Sequence, residues 1–580
     1  MTARLVRGKI KYVFVIYQEN RSFDSYFGTF PGAEGIYSHE YQATSPGFTE
    51  PLLNVDGTQT TVQPFRIGPA EFAADTDDVD HSHPRIVAKM DVQSGVPNMD
   101  RFALVEEQKR FAKTPLEAKQ YGELAMAHLD CDTIPFLWNY AKRFTLYDRI
   151  FQTFTGPSTP GNLAIIGAQS GETQFSLHPN EGYTDNGSGL VQGVPVLNDR
   201  DPAWGPANNV AAEQLNLTYA TLPLTLAGEN LAKAVTTDTA PATDLGDIKE
   251  DVADITATGG KAHDWGWFEE GYDHESTDQG PLTAEGTHAS YVTHHNGPQY
   301  FGYIANNTRF RAHLHGLGDF FSAIDRHALP HTGGVYYLKG GFKNLMGLTP
   351  ADPNPAVQKN SLGDDDHPGY SDAQISEALV ADEIDHIVKS PYWNQSAIVL
   401  TWDDSEGNYD HVVPPLREVG PGVGNVPADY ITDGPRVPLM VISPFSRQHT
   451  IVHSQGDQGS VVKLVDAVFG LKPLAELPDE LKGRANAAKN FGMMNFGPDD
   501  ALTPDVSDLL DAFDPARLGG SKAPISAADA YIPEADFAPS FQNNGTGCKL
   551  LGITPTDRQL GIPNPVPSDF NPRPATNPSI

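Results

Sequence analysis

Glu19 and Asn20 follow the apolar run Tyr12 to Tyr17, and Asp403 and Asp404 follow the apolar run Ala397 to Trp402. Two adjacent carboxylates at the end of an apolar strand repel each other and resist desolvation unless a cation lies between them. Glu19, Asn20, Asp403 and Asp404 therefore read as oxygen ligands for a hard or borderline divalent ion such as Ca, Mg, Mn or Zn. Acidic and amide residues after strands also serve as helix caps and turn formers, and that reading stands beside the metal one.

A hydroxyl is available to such an ion. Ser158 lies in Thr155-Gly-Pro-Ser-Thr-Pro-Gly-Asn162, where flanking prolines and a preceding glycine hold it on a stiff turn, the way a nucleophile is presented. A metal lowers the pKa of a coordinated hydroxyl and so replaces a histidine base. The same residues also make an ordinary turn. Histidines abut polar or acidic residues at His81, at His294-His295, at His367 and at His411. Imidazoles supply both positive donors for phosphoryl oxygens and an acid for a leaving oxygen, although each alone also reads as a surface or capping residue.

The elements that must position these groups are legible too. The runs Tyr12 to Tyr17, Val335 to Leu338, Ala397 to Trp402 and Val437 to Ser443 are apolar without polar alternation, the pattern of strands covered on both faces. Asp372 to Lys389 carries Ile375, Leu379, Ile384 and Ile387 near helical spacing and leads into the Ala397 strand; Ser460 to Leu471 has a similar stripe. Helix followed by strand predicts an α/β fold, in which functional side chains gather at the carboxyl edge of the sheet. Residues 170–260, rich in Gly, Pro, Asn, Asp and Thr, read as long loops or a small β subdomain inserted in a catalytic domain of residues 1–490. The proline-rich stretch 491–580 reads as an extended segment wrapping that domain.

Composition narrows the function. Formal net charge is −34, so nucleic acid and anionic lipid are repelled, and a phosphate ester needs local positive charge at its site. No apolar run is long enough for an integral membrane segment. Met1 to Lys9 carries charge but no apolar h-region, so no signal peptide is visible. Cys131 and Cys548 are the two cysteines, and one disulfide or two free thiols are both open.

Glu19-Asn-Arg-Ser-Phe-Asp-Ser-Tyr-Phe-Gly28 resembles the opening motif of the bacterial phosphoesterase superfamily that holds acid phosphatase A-like enzymes and non-haemolytic phospholipases C. The resemblance continues in order through Asp80-His81, Thr155-Gly-Pro-Ser-Thr-Pro160, Trp265-Gly-Trp-Phe268, His294-His295, His367-Pro368, Thr401-Trp-Asp-Asp404, Tyr409-Asp-His411, Gly434-Pro-Arg-Val-Pro-Leu439 and Ile442-Ser-Pro-Phe-Ser-Arg447, covering roughly residues 10–475. It implies an alkaline-phosphatase-like α/β core, a central mostly parallel sheet flanked by helices with loop-rich insertions. It also implies one divalent metal ion and a covalent phosphoryl-enzyme step. By position Glu19, Asn20, Asp403 and Asp404 match the metal ligands. Ser158 matches the nucleophile that also binds the metal, while His81, His295 and His367, with His294 close by, match phosphoryl-contacting histidines.

Two departures bear on the branch. Gly161-Asn162 stands where phospholipases have Asn-Arg, which keeps Thr159 as a backup nucleophile, and Asp403-Asp404-Ser-Glu-Gly replaces Asp-Glu-x-Gly-Gly. The serine and the paired histidines lean toward the acid phosphatase branch. The expectation is thus a metal-dependent phosphomonoesterase on a small-molecule phosphate ester. The alternatives are a phospholipase C-type phosphodiesterase on a lipid and a non-catalytic metal-binding surface protein. The resemblance implies a periplasmic or secreted location.

Overall fold

The run from Tyr12 is apolar or aromatic until Gln18, and in the computed structural model of the chain all seven of its residues are buried. The structure describes every residue except 1, 39–46, 94, 109–111, 180–181, 186–189, 193–194, 206–213, 237–244, 259, 274–288, 419–429, 563–564 and 578–580. Eight strands make the main sheet: β1 Tyr12–Gln18, β2 Thr145–Tyr147, β3 Asp264–Glu269, β4 Leu314–Gly316, β5 Gly334–Lys339, β6 Ser396–Trp402, β7 Leu439–Ile442 and β8 Thr450–Val452. Their order is β4-β3-β5-β1-β6-β7-β2-β8. Only the β6–β7 and β7–β2 pairings are antiparallel. The expected α/β class and mostly parallel sheet hold, and all four strands read from the sequence lie in it, with bounds shifted by up to two residues.

The register decides where chemistry can occur. Tyr12 of β1 pairs with Gly334 of β5 on one side and with Ser396 of β6 on the other, all parallel. The carboxyl ends of the three central strands therefore finish side by side, delivering Glu19 and Asn20, Lys339, and Asp403 and Asp404 to one edge. Helices cover both faces. Ala373–Lys389 starts where the Asp372 side chain accepts the backbone N–H groups of Gln374 (2.7 Å) and Ile375 (3.0 Å). It stops at Ser390, before Pro391, and buries Ile375, Leu379, Ile384 and Ile387. Gly459–Phe469 ends at Gly470, whose φ of 72° is the left-handed C-terminal geometry glycine adopts freely.

Two stretches read from composition carry more helix than that reading held. Among the described residues of 170–260, the helices Glu172–Leu177, Leu222–Ala227, Leu231–Thr236 and Lys249–Thr258 stand among turns and irregular chain, beside two short strand pairs. Short apolar repeats hidden among turn formers are responsible, since Leu222, Leu224, Leu226 and Leu231 are all buried in the common core. The stretch after residue 491 is not simply extended. It forms short helices at Pro515–Leu518, Pro539–Gln542, Gly547–Leu551 and Thr556–Leu560, the first two with proline in the first turn, where its missing N–H costs nothing. The prolines at 563 and 578 lie outside the described residues.

Cys131 and Cys548 are joined in a disulfide that spans 417 residues of sequence and ties this last segment to the domain beside the helix Pro135–Arg143. Closing so long a loop restricts the unfolded chain, so the Cys131→Ser/Cys548→Ser double variant is expected to lose about 2–4 kcal/mol of stability. Urea midpoints of the oxidised and double-variant proteins check this; equal midpoints at equal slope would contradict it.

Candidate active site

Ser158 opens the helix Ser158–Gly167 after Pro157, and the stiff turn places its hydroxyl at the sheet edge. Ser158 Oγ donates to Glu19 Oε2 at 2.7 Å and lies 3.5 Å from both Asn20 Oδ1 and Asp404 Oδ2. Asp403 stands behind them, its Oδ1 accepting the Asn20 backbone N–H at 3.1 Å. Close approach of helix and strand needs Gly161, because a Cβ there would sit 2.5 Å from the Asp403 carbonyl oxygen. The departure from Asn-Arg at this point thus has a packing reason. Thr159 is turned elsewhere: its Oγ1 donates to Asp199 Oδ1 at 3.0 Å and lies 3.4 Å from the Tyr300 hydroxyl.

Three of the histidines named from the sequence, His81, His295 and His367, stand near the residues that surround this hydroxyl. His295 Nε2 is 3.3 Å from Glu19 Oε2, and its Nδ1 is 3.9 Å from Asp365 Oδ2. His81 Nε2 is 3.2 Å from Asn20 Nδ2, and its ring lies 5.4 Å from that of His367. His294 stacks edge-on against His295 at 4.5 Å and reaches outward to 4.0 Å from Asp199 Oδ2, so it stands at the rim and not against Ser158. His411 is separate. It donates to Asp24 in a buried cluster with Asp410 and Arg436 that braces the site from below.

Electrostatics divide the histidines. Burial opposes charge on His81, but Glu406, Asp78 and Asp404 outweigh it and raise its pKa well above the ordinary value. Burial, reinforced by His81, pushes His367 down to about 4. His295 is held well below its ordinary value by burial, by Lys339 and by its histidine neighbours. The surroundings thus favour the charged form of His81 and the neutral forms of His295 and His367.

Sequence reasoning missed two charged residues here. Lys339, the last residue of β5, is fully buried, contacts Glu19 Oε1, lies 3.8 Å from Asp403 Oδ2 and sits 4.2 Å over the Tyr17 ring. The strand-end rule that picked Glu19 would have found it had the strand been carried one residue beyond Leu338. Glu406 accepts from Asn20 Nδ2 at 2.8 Å, and its ligand atom lies within 4.8 Å of those of His81 and His367.

The donor set has the hard-oxygen chemistry that a divalent cation takes, with Lys339 already against Glu19. Burial and the charge of Asp403 raise Glu19 and Asp404 well above the usual carboxylate range, the response of acids crowded without enough positive charge. Asp403 Oδ2, buried, accepts no hydrogen bond among the described residues. Oxygens of Glu19, Asn20, Asp403, Asp404 and Ser158 form the hard-donor group.

Fold and site together define an α/β protein whose sheet edge presents a buried serine among carboxylates and histidines. The chain belongs to the Phosphoesterase family, whose model matches residues 10–472. It is 21% identical over 564 residues to a non-hemolytic phospholipase C of Burkholderia pseudomallei (strain K96243), covering 94% of this chain and 66% of that protein. It is 32% identical over 120 residues to phospholipase C B of Mycobacterium tuberculosis (strain ATCC 25618 / H37Rv), covering 18% of this chain and 23% of that protein. The chain thus spans less than two thirds of these relatives. Among solved structures, a phosphonate monoester hydrolase from Silicibacter pomeroyi aligns with a TM-score of 0.24 and 13% identity over 59% of this chain and 69% of that one.

Proposed function

We propose that the protein is a metal-dependent phosphoric ester hydrolase that uses Ser158 as nucleophile, and that its preferred substrates are phosphomonoesters. The observation that carries this reading is the Ser158 hydroxyl, donating to Glu19 Oε2 at 2.7 Å with Asn20 and Asp404 oxygens at 3.5 Å. Glu19, Asn20, Asp403 and Asp404 would hold a divalent ion with Ser158. When bound, that ion supplies positive charge that favours the serine alkoxide and offsets phosphoryl charge.

The chain's own groups do the rest. Ser158 gives up its proton along the hydrogen bond to Glu19 Oε2, and Oγ attacks phosphorus to form the phosphoserine as the bond to the leaving oxygen breaks. His81, whose surroundings favour the imidazolium, donates the proton that the leaving alkoxide needs. His295, 3.3 Å from Glu19 Oε2, orients that carboxylate, while His367 stands beside His81 and His294 at the rim. Water then attacks phosphorus and gives its proton to His81 as the bond from phosphorus to Ser158 Oγ breaks; Glu19 returns the proton to Oγ, which releases phosphate and restores the Ser158 hydroxyl.

Part-exposed polar side chains stand beside the site, Asp78 at 45%, Asp199 at 35% and His294 at 28%, which suits a polar, compact ester. Phospholipase C-type diester cleavage is the second reading, supported by the relative that spans 94% of the chain. The Cys131–Cys548 disulfide supports a periplasmic or secreted location, since such bonds persist in oxidising compartments. Among the described residues no helix is long and apolar enough to cross a membrane.

Hydrolysis of p-nitrophenyl phosphate against p-nitrophenyl phosphorylcholine, on one metal-analysed preparation from acid to alkaline pH, tests the reading. Faster monoester turnover is the expected result. Faster diester turnover would move the protein to the phospholipase reading, and silence on both would favour a metal-binding surface protein.

A further inference from the structure

Glu406 occupies an unusual backbone position. Its φ is 59°, followed by Gly407 at 65°, so two successive residues of the loop after β6 are left-handed. A glutamate there is strained where glycine is not, and such strain is retained at sites where the side chain has work to do. The side chain is buried, and both of its oxygens are engaged. Oε1 accepts the Val79 backbone N–H at 2.9 Å, which fixes the turn carrying His81. Oε2 accepts from Asn20 Nδ2 at 2.8 Å and lies 3.4 Å from His81 Nδ1.

The contact with Asn20 has a directional consequence. Asn20 Nδ2 donates to Glu406 Oε2 at 2.8 Å, and the Oδ1 end of the same amide then faces Ser158 Oγ, 3.5 Å away. Asn20 is itself left-handed, with φ 54°, and its backbone N–H is spent on Asp403, so the rest of the residue has little freedom to compensate. The geometry points to Glu406 as a positioning residue: it sets the orientation of the Asn20 amide and the place of the His81 turn, and through them the oxygen cage around the Ser158 hydroxyl. This deepens the hydrolase reading and rests on it for the identity of Asn20 as a cation ligand.

Glu406→Gly separates positioning from plain structural support, because the two roles move different observables. Glycine removes the acceptor and relieves the left-handed strain together. Mn²⁺ titrated into the metal-stripped full-length protein is the probe. In Glu406→Gly its affinity is expected to fall about 10–100-fold, as for loss of groups that orient metal ligands, and by more than any fall in the urea midpoint accounts for. Glu406→Gln, which keeps the shape but offers an amide that can face Asn20 either way, is expected to lose affinity too.

Unchanged Mn²⁺ affinity in Glu406→Gly would overturn the proposal, as would a fall in affinity that merely tracks a fall in the urea midpoint. Loss of one whole equivalent of bound Mn²⁺ would also overturn it, by making Glu406 a ligand. If the wild-type protein hydrolyses no phosphate ester but the affinity difference appears, the hydrolase reading fails and the positioning role stands. If it hydrolyses well and the variants bind Mn²⁺ equally, the positioning role fails alone. A wild-type protein that takes up no Mn²⁺ overturns both.

Discussion

Ser158→Ala is expected to lower turnover of p-nitrophenyl phosphate by roughly three to six orders of magnitude, the scale on which loss of a covalent nucleophile is felt. Metal content should change little, because Glu19, Asn20, Asp403 and Asp404 remain. Rapid acid quench with radiolabelled monoester should trap phosphoserine in the wild type and none in the variant. The nearby hydroxyl of Thr159 offers no rescue, since it donates to Asp199 at 3.0 Å and faces Tyr300. A Ser158→Ala protein with normal turnover would sink the phosphoserine scheme and leave direct attack by water.

Arg436→Met is expected to destabilise the fold by about 3–5 kcal/mol, because it leaves buried charges without their partner. Arg436 is fully buried. Its Nη2 donates to Asp24 Oδ1 at 2.9 Å and its Nε to Asp410 Oδ1 at 2.9 Å, while Nη1 donates to the backbone oxygens of Glu34 and Asp148, both at 2.7 Å. Arg436 also packs 4.5 Å over the Phe23 ring. Arg436→Lys should recover little, because one ammonium cannot reproduce three donor directions and the planar stacking. Urea unfolding of both variants measures this; a Met variant with an unchanged midpoint and slope would show that the cluster carries no net stability. The same residue couples stability to the site. Asp24 lies just after Glu19 and Asn20, and Asp410 just after Asp403 and Asp404, so the arginine clamps together the two segments that carry the oxygen donors.

How much of this was legible depended on whether a signal lay in one stretch of sequence. The central strands announce themselves because burial on both faces leaves unbroken apolar runs, and residues at their ends follow by the geometry of parallel sheets. Strands β2, β4 and β8 are three residues each, too short for any periodicity to show. The family motifs drew attention to His81, His295 and His367, yet the opposite shifts of His81 and of the other two depend on neighbours far away in sequence. Glu406 acts through its backbone angle and its reach to Asn20. Neither property is written in the pentapeptide Asp403-Asp404-Ser-Glu-Gly407. Lys339 was hidden by ending a strand one residue early.

The placement of β1 sets the chronology of the molecule. That strand lies in the middle of the sheet and is made before both of its neighbours, which begin at Gly334 and Ser396. Chain elongation at roughly 5–20 residues per second keeps that strand waiting for tens of seconds before its second partner has been made. Pairings between such distant segments are slow to form even then. Glu19 and Asn20 are made long before Asp403 and Asp404. The oxygen cage is therefore absent from every nascent chain that ends before Asp403, and it closes in one late step.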